Sequence, residues 1–341
     1  MNELQYAFKS RPVEGETMAV KDDLVWLRMP LPFSLNHINL WLLRDEAGWV
    51  IVDTGVNTRK SRGVWQQTFA DAMGGDPATH VVATHLHPDH VGCAGWLVHE
   101  FDVDLWMTRD EYMLCRILVA DTGRTAPEEG IRFYTAAGFS AEQIAHYQQA
   151  FGQFGKLVHP LPEAYKRMSD GDRLSFGGSH WEVIVGSGHS PEHACLYNDD
   201  RNVLIAGDQL LPTISPNVSV WPTEPLANPL EDWFASLEKL GKRLPPDVLV
   251  LPAHGKPFRG AHHRLDRLAK DHTDRLDALL DICAEPMRVV DVFTSLYKTT
   301  INDSNRIMAT GEAISHLNYL CESGQMIAES DADHVTWYRR S

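Results

Sequence analysis

The sequence predicts an α/β protein whose two β-rich halves pack their sheets face to face and carry helices on the outside. Short runs of branched and aromatic residues, ended by Pro, Gly or Asp, alternate with amphipathic stretches over residues 20–110. The same alternation recurs over residues 180–255. With 341 residues, of which 43% are hydrophobic, the chain is long enough for one large domain with an appendage or for two domains.

The elements follow in order from these patterns. In the first half, strands are predicted to begin at Leu24, His37, Trp49, Thr79 and Val103, and helices to cover residues 58–73 and 91–101. Gly74 and Gly75 are a typical stop for the first of these helices. In the second half, strands are predicted to begin at Trp181, Ala194, Asn202 and Asp247, with a helix over residues 229–244. Functional residues are expected where these strands end.

Residues 109–168 interrupt the alternation with a helical pattern, in which Ser140 and Gln143 have the spacing of a capping box. Two interpretations stay open for its aromatic side chains: ordinary packing of a helical pair, or a lid over an apolar substrate pocket. These aromatic residues are Phe133, Tyr134, Phe139, Tyr147, Phe151 and Phe154. We therefore predict a first domain at residues 1–261 that contains this helical insert.

Residues 262–341 form a second predicted domain. A long amphipathic helix, two further helical segments and a terminal strand pair follow one another in the order of a winged helix. Such domains often bind DNA, but this segment carries nine Lys and Arg against thirteen Asp and Glu. A recognition helix needs a basic surface, so we expect structural capping or a dimer contact instead.

Composition narrows the partners and the compartment. The formal charge of −15 opposes binding to nucleic acid, which requires clustered Lys and Arg, and favours a small-molecule substrate. The sequence contains no run of about 18 apolar residues, so we predict no membrane span. The first residues lack the pattern of a secretory signal. Five widely spaced cysteines without a CxxC motif argue against disulfides and thiolate zinc sites. We expect a cytoplasmic protein, for which a homodimer is plausible.

Four potential metal ligands stand within six residues, directly after a predicted strand. They lie in the segment His85-Leu86-His87-Pro88-Asp89-His90. Imidazoles at alternating positions of an extended segment project together, and the proline turn redirects Asp89 and His90 toward a neighbouring point. A cluster of this density predicts a metal site.

Further candidates follow later strands. His189, Asp208 and His254 each stand near a glycine that lets the backbone approach a crowded site. With the first cluster they supply five imidazoles and two carboxylates, which is a set for two divalent ions. His193 either supports a ligand or binds metal itself, and His37 either lines the pocket or is an ordinary strand histidine.

These motifs resemble the metallo-β-lactamase fold superfamily, whose HxHxDH signature stands here at residues 85–90 and whose later ligand positions match in order. The resemblance covers about residues 20–260 and implies an αββα sandwich with two metals at one edge. It implies that one metal is bound by His85, His87 and His189, that the other is bound by Asp89, His90 and His254, and that Asp208 bridges them. Asp53 matches the family's Asp-x-Gly and is expected to support the ligands without binding metal.

The ligand set favours zinc over iron or manganese. Imidazole-rich sites with carboxylates suit zinc, although the other two metals accept such ligands. Diiron relatives in this superfamily usually have Glu at the second signature position, where this chain has His87.

Two such ions would hold a hydroxide between them and polarise a substrate oxygen, which predicts hydrolysis. Asp89 would fix the second metal and orient the hydroxide, and the sequence identifies no separate general acid. The bridging Asp208 differs from the Cys or Ser of true metallo-β-lactamases and resembles the thioesterase, lactonase and nuclease branches. The Tyr that lactonases commonly carry three residues later is here Leu211.

Among the possible reactions, carboxylic ester or thioester hydrolysis ranks first and lactone hydrolysis second. Phosphodiester or RNA cleavage ranks third because of the acidic charge of the chain. An oxidoreductase or a sulfur dioxygenase completes the enzymatic alternatives. A scaffold protein with purely structural metals ranks last, because structural zinc sites are usually closed and four-coordinate.

Overall fold

The structure is a computed structural model that describes residues 4–21 and 23–341. Residues 1–3 and 22 of the predicted catalytic domain lie outside the described residues. The strands are β1 (Gln5–Tyr6), β2 (Thr17–Lys21), β3 (Leu24–Pro30), β4 (His37–Asp45), β5 (Gly48–Val52), β6 (Ala78–Val82), β7 (Leu105–Met107), β8 (Lys166–Arg167), β9 (Arg173–Phe176), β10 (Ser179–Gly186), β11 (His193–Asn198), β12 (Val203–Gly207), β13 (Leu249–Pro252), β14 (Phe258–Arg259), β15 (Met287–Arg288), β16 (Met326–Ser330) and β17 (Thr336–Arg340).

The helices alternate with these strands along the chain. They are α1 (Arg59–Ala70), α2 (Pro88–Val91), α3 (Ala94–Phe101), α4 (Arg109–Ala120), α5 (Glu128–Ala136), α6 (Ala141–Ala150), α7 (Pro229–Arg243), α8 (Ala261–Ile282), α9 (Phe293–Leu296) and α10 (Arg306–Glu322). Short 3₁₀ turns occur at Phe154–Lys156 and Val289–Asp291.

Two seven-stranded sheets form the centre of the molecule. The first has the order β2-β3-β4-β5-β6-β7-β8, and the second has the order β1-β14-β13-β12-β11-β10-β9. The faces between the sheets share one apolar core, in which Trp26, Trp41 and Trp181 are fully buried. Each sheet also packs against its outer helices through a core of its own. The predicted α/β class and the sandwich architecture are confirmed.

Side-chain alternation explains how each strand serves two layers. On β5, Val50 and Val52 face the opposite sheet, whereas Trp49 and Ile51 face the helices. Successive residues of a strand point to opposite faces, so a strand buried on both faces is apolar throughout. The continuous apolar runs of the sequence reflect this burial.

The helix predicted over residues 91–101 is divided into α2 and α3. Gly92 and Cys93 separate them, and the Cys93 N–H donates to the Gly55 carbonyl at 3.0 Å. A Cβ at Gly92 would lie 2.5 Å from that same carbonyl oxygen and 2.4 Å from the Pro88 oxygen. The single-helix prediction was wrong because the loop after β5 packs directly against the chain at this point.

The helical insert begins as predicted, and the capping box of Ser140 and Gln143 is present. Tyr134, Phe139 and Tyr147 are buried, and the Tyr134 ring centroid lies 5.0 Å from Phe139 and 4.5 Å from Tyr147. The core that contains them also contains residues of α7, α8 and α10. These contacts support the core-packing interpretation for the three residues. After α6 the insert is largely irregular until β8 joins the first sheet.

The tail has the predicted order of helices followed by a strand pair. The hairpin of β16 and β17 is joined by β15, which pairs with β17 and makes a third strand. The second helical segment is short, because α9 spans only four residues and Tyr297 is already extended. Leu265 and Leu268 of α8 share a core with Leu237 of α7. A domain boundary at residue 262 stays a prediction.

No helix among residues 4–21 and 23–341 combines the length and the apolar character that crossing a membrane requires.

Two buried histidines pair in the tail, away from the predicted metal ligands. His272 Nδ1 and His316 Nε2 lie 3.0 Å apart, and neither residue is accessible to solvent. Burial, with a contribution from His316, lowers the pKa of His272 to about 2, and burial lowers the pKa of His316 to about 4. Both rings are therefore neutral at neutral pH in the folded protein, whereas the unfolded chain protonates them near pH 6.5.

We expect acid to destabilise the fold through this pair. Below about pH 6.5 the unfolded state binds more protons, so the free energy of unfolding falls by up to about 1.4 kcal/mol per pH unit for each histidine. His272→Gln should make this slope shallower between pH 6.5 and 4, as measured by urea denaturation at constant metal loading. The exposed His180→Gln is the control. Equal slopes for the His272 variant and wild type would contradict the expectation.

Candidate metal centre

The seven predicted ligands converge at one edge of the sandwich. His85 follows β6, His87 is the N-cap of α2, and Asp89 and His90 lie within that short helix. The loops after β10, β12 and β13 contribute the other ligands, which are His189, Asp208 and His254. The parallel pairs β5–β6 and β12–β13 present their carboxyl ends to the same edge, which explains how distant segments meet there.

The first cluster contains His85, His87, His189 and Asp208, with candidate ligand atoms within 4.8 Å of one another. His85 Nε2 lies 2.8 Å from His87 Nδ1. His189 Nε2 lies 3.4 Å from Asp208 Oδ2. Three imidazoles and one carboxylate oxygen thus face a common point.

The second cluster contains Asp89, His90 and His254, within the same 4.8 Å limit. His254 Nε2 lies 3.4 Å from Asp89 Oδ2, and His90 Nε2 lies 3.8 Å from that oxygen. The two clusters correspond to the two groups that the resemblance implies.

Asp208 connects the clusters through its two oxygens. Oδ2 faces His189 of the first cluster, whereas Oδ1 lies 3.5 Å from His90 Nε2 and 3.4 Å from His254 Nε2 of the second. A carboxylate with its oxygens directed at separate ligand sets has the arrangement of a bridging ligand.

The donor set fits two divalent ions. The buried atoms His90 Nε2, His189 Nε2 and Asp208 Oδ1 have no hydrogen-bond partner within the described part of the chain. Ligand atoms bound at about 2.1 Å to one tetrahedral ion lie about 3.4 Å apart, close to several of the separations above. Buried polar atoms without partners are costly, and an ion would satisfy all three. The roles of the individual ligands stay predictions.

Protonation in the site favours cation binding at most positions. Burial lowers the pKa of His87 to about 3 and that of His85 well below its usual value, and neighbouring histidines add to both shifts. Burial opposes ionisation of Asp89 and Asp208, but adjacent histidines hold the pKa of both carboxyls below the usual range. Burial also lowers the pKa of His90, yet three surrounding carboxylates raise it well above normal. A metal ion would replace that proton.

Asp53 supports the site from behind His90. Its Oδ2 lies 2.8 Å from His90 Nδ1, and its oxygens accept hydrogen bonds from the backbone N–H and hydroxyl of Thr84 at 2.8 and 2.9 Å. Asp53 adopts a left-handed backbone conformation with φ of 61°, an uncommon state for a residue other than glycine. Its position orients His90 and leaves Nε2 of that ring directed at the cluster.

His193 and His37 also lie beside the clusters. His193 Nε2 accepts a hydrogen bond from the Asp208 backbone N–H at 3.0 Å, so this nitrogen is engaged in holding the bridging residue. The His37 carbonyl lies 2.8 Å from His254 Nδ1, and the two ring centroids are 6.3 Å apart. Each is placed to support a predicted ligand.

Glu111 of α4 is a supporting residue that sequence reasoning missed. This buried carboxylate accepts hydrogen bonds from the backbone N–H of Leu86 at 2.9 Å and of Glu192 at 2.8 Å. It thereby joins the loop of the signature histidines to the loop that follows His189. Burial raises the pKa of Glu111, although these N–H groups favour the carboxylate. The available signal was an acid on the same helical face as the buried Cys115.

A hydrogen-bonded chain from the tail also reaches a predicted ligand. His189 Nδ1 lies 2.7 Å from the Asn217 carbonyl oxygen, and Asn217 Nδ2 donates to Glu312 Oε2 at 3.2 Å. The other oxygen of the buried Glu312 accepts a bond from Arg275 at 2.6 Å. No sequence signal links these residues, because long stretches of chain separate them.

Comparisons with known proteins agree with this geometry. Residues 34–254 match the sequence profile of the metallo-β-lactamase superfamily, and residues 276–341 match that of the metallo-β-lactamase-like C-terminal domain. The crystal structure of a β-lactamase domain protein from Burkholderia ambifaria is similar over 99% of this chain and 98% of that chain, with 39% identity and a TM-score of 0.91.

Two similar proteins have names that state an activity. A probable metallo-hydrolase from Bacillus subtilis (strain 168) is 24% identical over 311 residues, which cover 88% of this chain and 92% of the relative. An acyl-coenzyme A thioesterase from Homo sapiens is 25% identical over 262 residues, which cover 74% of this chain and 85% of the relative.

Glu111→Gln should weaken metal binding, although Glu111 is not among the predicted ligands. The amide can accept from only one of the two backbone N–H groups, and leaving a buried donor unpaired costs about 1–3 kcal/mol. We expect a loss of affinity of about 10- to 100-fold, measured by chelator competition. Glu129→Gln, in the exposed part of the same insert, is the control. Unchanged affinity in the Glu111 variant would show that the two loops hold their positions without it.

Asn217→Ala should loosen His189 by cutting its connection to the tail. We expect metal affinity to fall by about 10-fold, at the lower end of the range for residues that orient ligands. Asn318→Ala is the matched control, because Asn318 Nδ2 binds the carbonyls of Pro225 and Ala227 in the same loop without reaching a ligand. Equal losses in both variants would assign the effect to general packing of the loop.

Proposed function

Because the chain belongs to the metallo-β-lactamase superfamily, we propose that this metallo-hydrolase is a binuclear zinc enzyme that cleaves a small-molecule carboxylic ester or thioester. The observation that carries the proposal is the placement of Asp208, whose two oxygens face separate ligand clusters. An arrangement of this kind suits two ions that act on one substrate. Zinc is proposed because the site is rich in imidazole.

Two bound divalent ions would supply a water of lowered pKa as nucleophile and would polarise the substrate carbonyl. The chain's own residues hold this arrangement in place. Asp53 fixes the orientation of His90, and the Asn217 carbonyl fixes that of His189. Asp89 lies between His90 and His254, where its carboxylate can accept a proton or a hydrogen bond from the attacking water.

Two features support an ester or thioester as the substrate. One similar protein is an acyl-coenzyme A thioesterase. Asp208 also occupies the position where true metallo-β-lactamases generally carry Cys or Ser. A lactone is the second candidate, but the lactonase Tyr position holds Leu211, which is buried and offers no hydroxyl.

We further propose that the protein acts on a small molecule in the cytoplasm and does not bind nucleic acid. The charge of −15 supports this, because it opposes contact with a polyanion. A homodimer is proposed as its assembly.

Elemental analysis and a substrate panel test the proposed function. We expect about two zinc ions per chain and turnover of thioesters or carboxylic esters that a chelator abolishes. Asp89→Ala should lower metal content and reduce kcat/KM by more than about 100-fold, beyond the range for residues that only support ligands. Asp274→Asn, which removes an exposed acid of α8, is the control.

Two outcomes would overturn the proposal. Strong cleavage of RNA with weak ester and thioester turnover would assign the protein to the nuclease branch. Two bound metals with no turnover of any ester, thioester, lactone or phosphodiester would indicate a structural metal site.

A further inference from the structure

Arg28 stands on the inner face of the first sheet, at the edge where the metal ligands meet. In the β3–β4 pairing, Arg28 lies opposite Asn39 and Pro30 lies opposite His37. Residues two apart on a strand share a face, so Arg28, Asn39 and His37 project to the same side of the sheet. Asn39 Nδ2 donates to the Pro252 carbonyl at 2.8 Å, two residues before the ligand His254. This contact places the group beside the second cluster.

Arg28 is almost fully buried. The residue is 8% exposed, and its Nε has no hydrogen-bond acceptor among residues 4–21 and 23–341. The adjacent His37 is also 8% exposed, and its Nε2 has no partner in the same part of the chain. Buried charged groups are normally paired, because an unpaired one is destabilising. A buried arginine whose Nε lacks an acceptor, next to a candidate metal centre, therefore indicates a binding function.

The surrounding charges add to this indication. Burial, and then the positive charge of Arg11, lower the pKa of Arg28. The negative charge of Glu14 raises the pKa of Arg28, but Glu14 is already bonded to the Lys60 ammonium. Arg11 itself is exposed.

We propose that Arg28 is an anion-binding subsite for a carboxylate or phosphate group of the substrate. The guanidinium presents paired donors that match the two oxygens of such a group, and binding relieves the unpaired charge. The subsite deepens the proposed ester or thioester hydrolysis, on which it rests: it selects substrates that carry an acidic group besides the bond to be cleaved. It also explains how an acidic protein binds an anionic substrate.

Matched substrate pairs test the subsite. One pair has the same N-acetylcysteamine thiol and acyl chains of equal length, of which one ends in methyl and the other in carboxylate. The second pair has the same apolar acyl chain on N-acetylcysteamine or on coenzyme A. The first pair detects a carboxylate on the acyl side, and the second detects the phosphates of the leaving group.

For Arg28→Gln we expect KM to rise about 10- to 100-fold for the anionic member of at least one pair, with kcat nearly unchanged. The neutral member should keep its kcat/KM, which shows that the variant is folded and active. Arg28→Lys should recover part of the loss, and exposed Arg11→Gln should show a smaller loss of the same kind. Arg44→Gln is the control, since Arg44 lies on β4 but bonds to Asp76.

If Arg28→Gln loses kcat/KM equally for neutral and anionic substrates, or loses it for neither, the subsite is overturned while the hydrolase function stands. If wild type cleaves no member of either pair, the proposed function fails instead. Calorimetric binding of succinate and of inorganic phosphate to the metal-loaded protein then decides the subsite separately. Weaker binding of either anion by Arg28→Gln than by wild type supports the subsite, and equal binding of both overturns it.

Discussion

The shared carboxylate of Asp208 is the interaction on which the architecture of the site depends. One of its oxygens faces His189, and the other faces His90 and His254. These predicted ligands come from both halves of the sandwich, so the two sheets must pack in one relative position for the carboxylate to face both clusters. The fully buried tryptophans between the sheets fix that position.

Placing seven ionisable side chains in so small a volume requires support from several directions. Asp53 orients His90 from the loop that follows β5, and Glu111 of the helical insert holds the two loops that carry predicted ligands. The tail contributes through Glu312, which is bonded to the loop whose carbonyl contacts His189. The insert and the tail therefore both support the candidate metal centre, although neither supplies a predicted ligand.

The distribution of charge around the site refines what the net charge suggests. The net charge of a chain with 46 acidic and 31 basic residues opposes contact with a polyanion such as RNA. Local positive charge at Arg28 and Arg11 nevertheless suits a single acidic group beside the centre. Overall charge governs the approach of large polyanions, whereas a buried cation acts over a few ångströms in a medium of low dielectric constant.

The sequence by itself determined the α/β class, the order of the elements and the segments that carry the candidate ligands, because strand patterning and a dense HxHxDH motif are local signals. Only the tertiary structure decided which oxygen of Asp208 faces which cluster, and that Gly92 divides a predicted helix. It also revealed Glu111 and Asn217 as supports. These features depend on contacts between segments far apart in the chain, which no local pattern encodes.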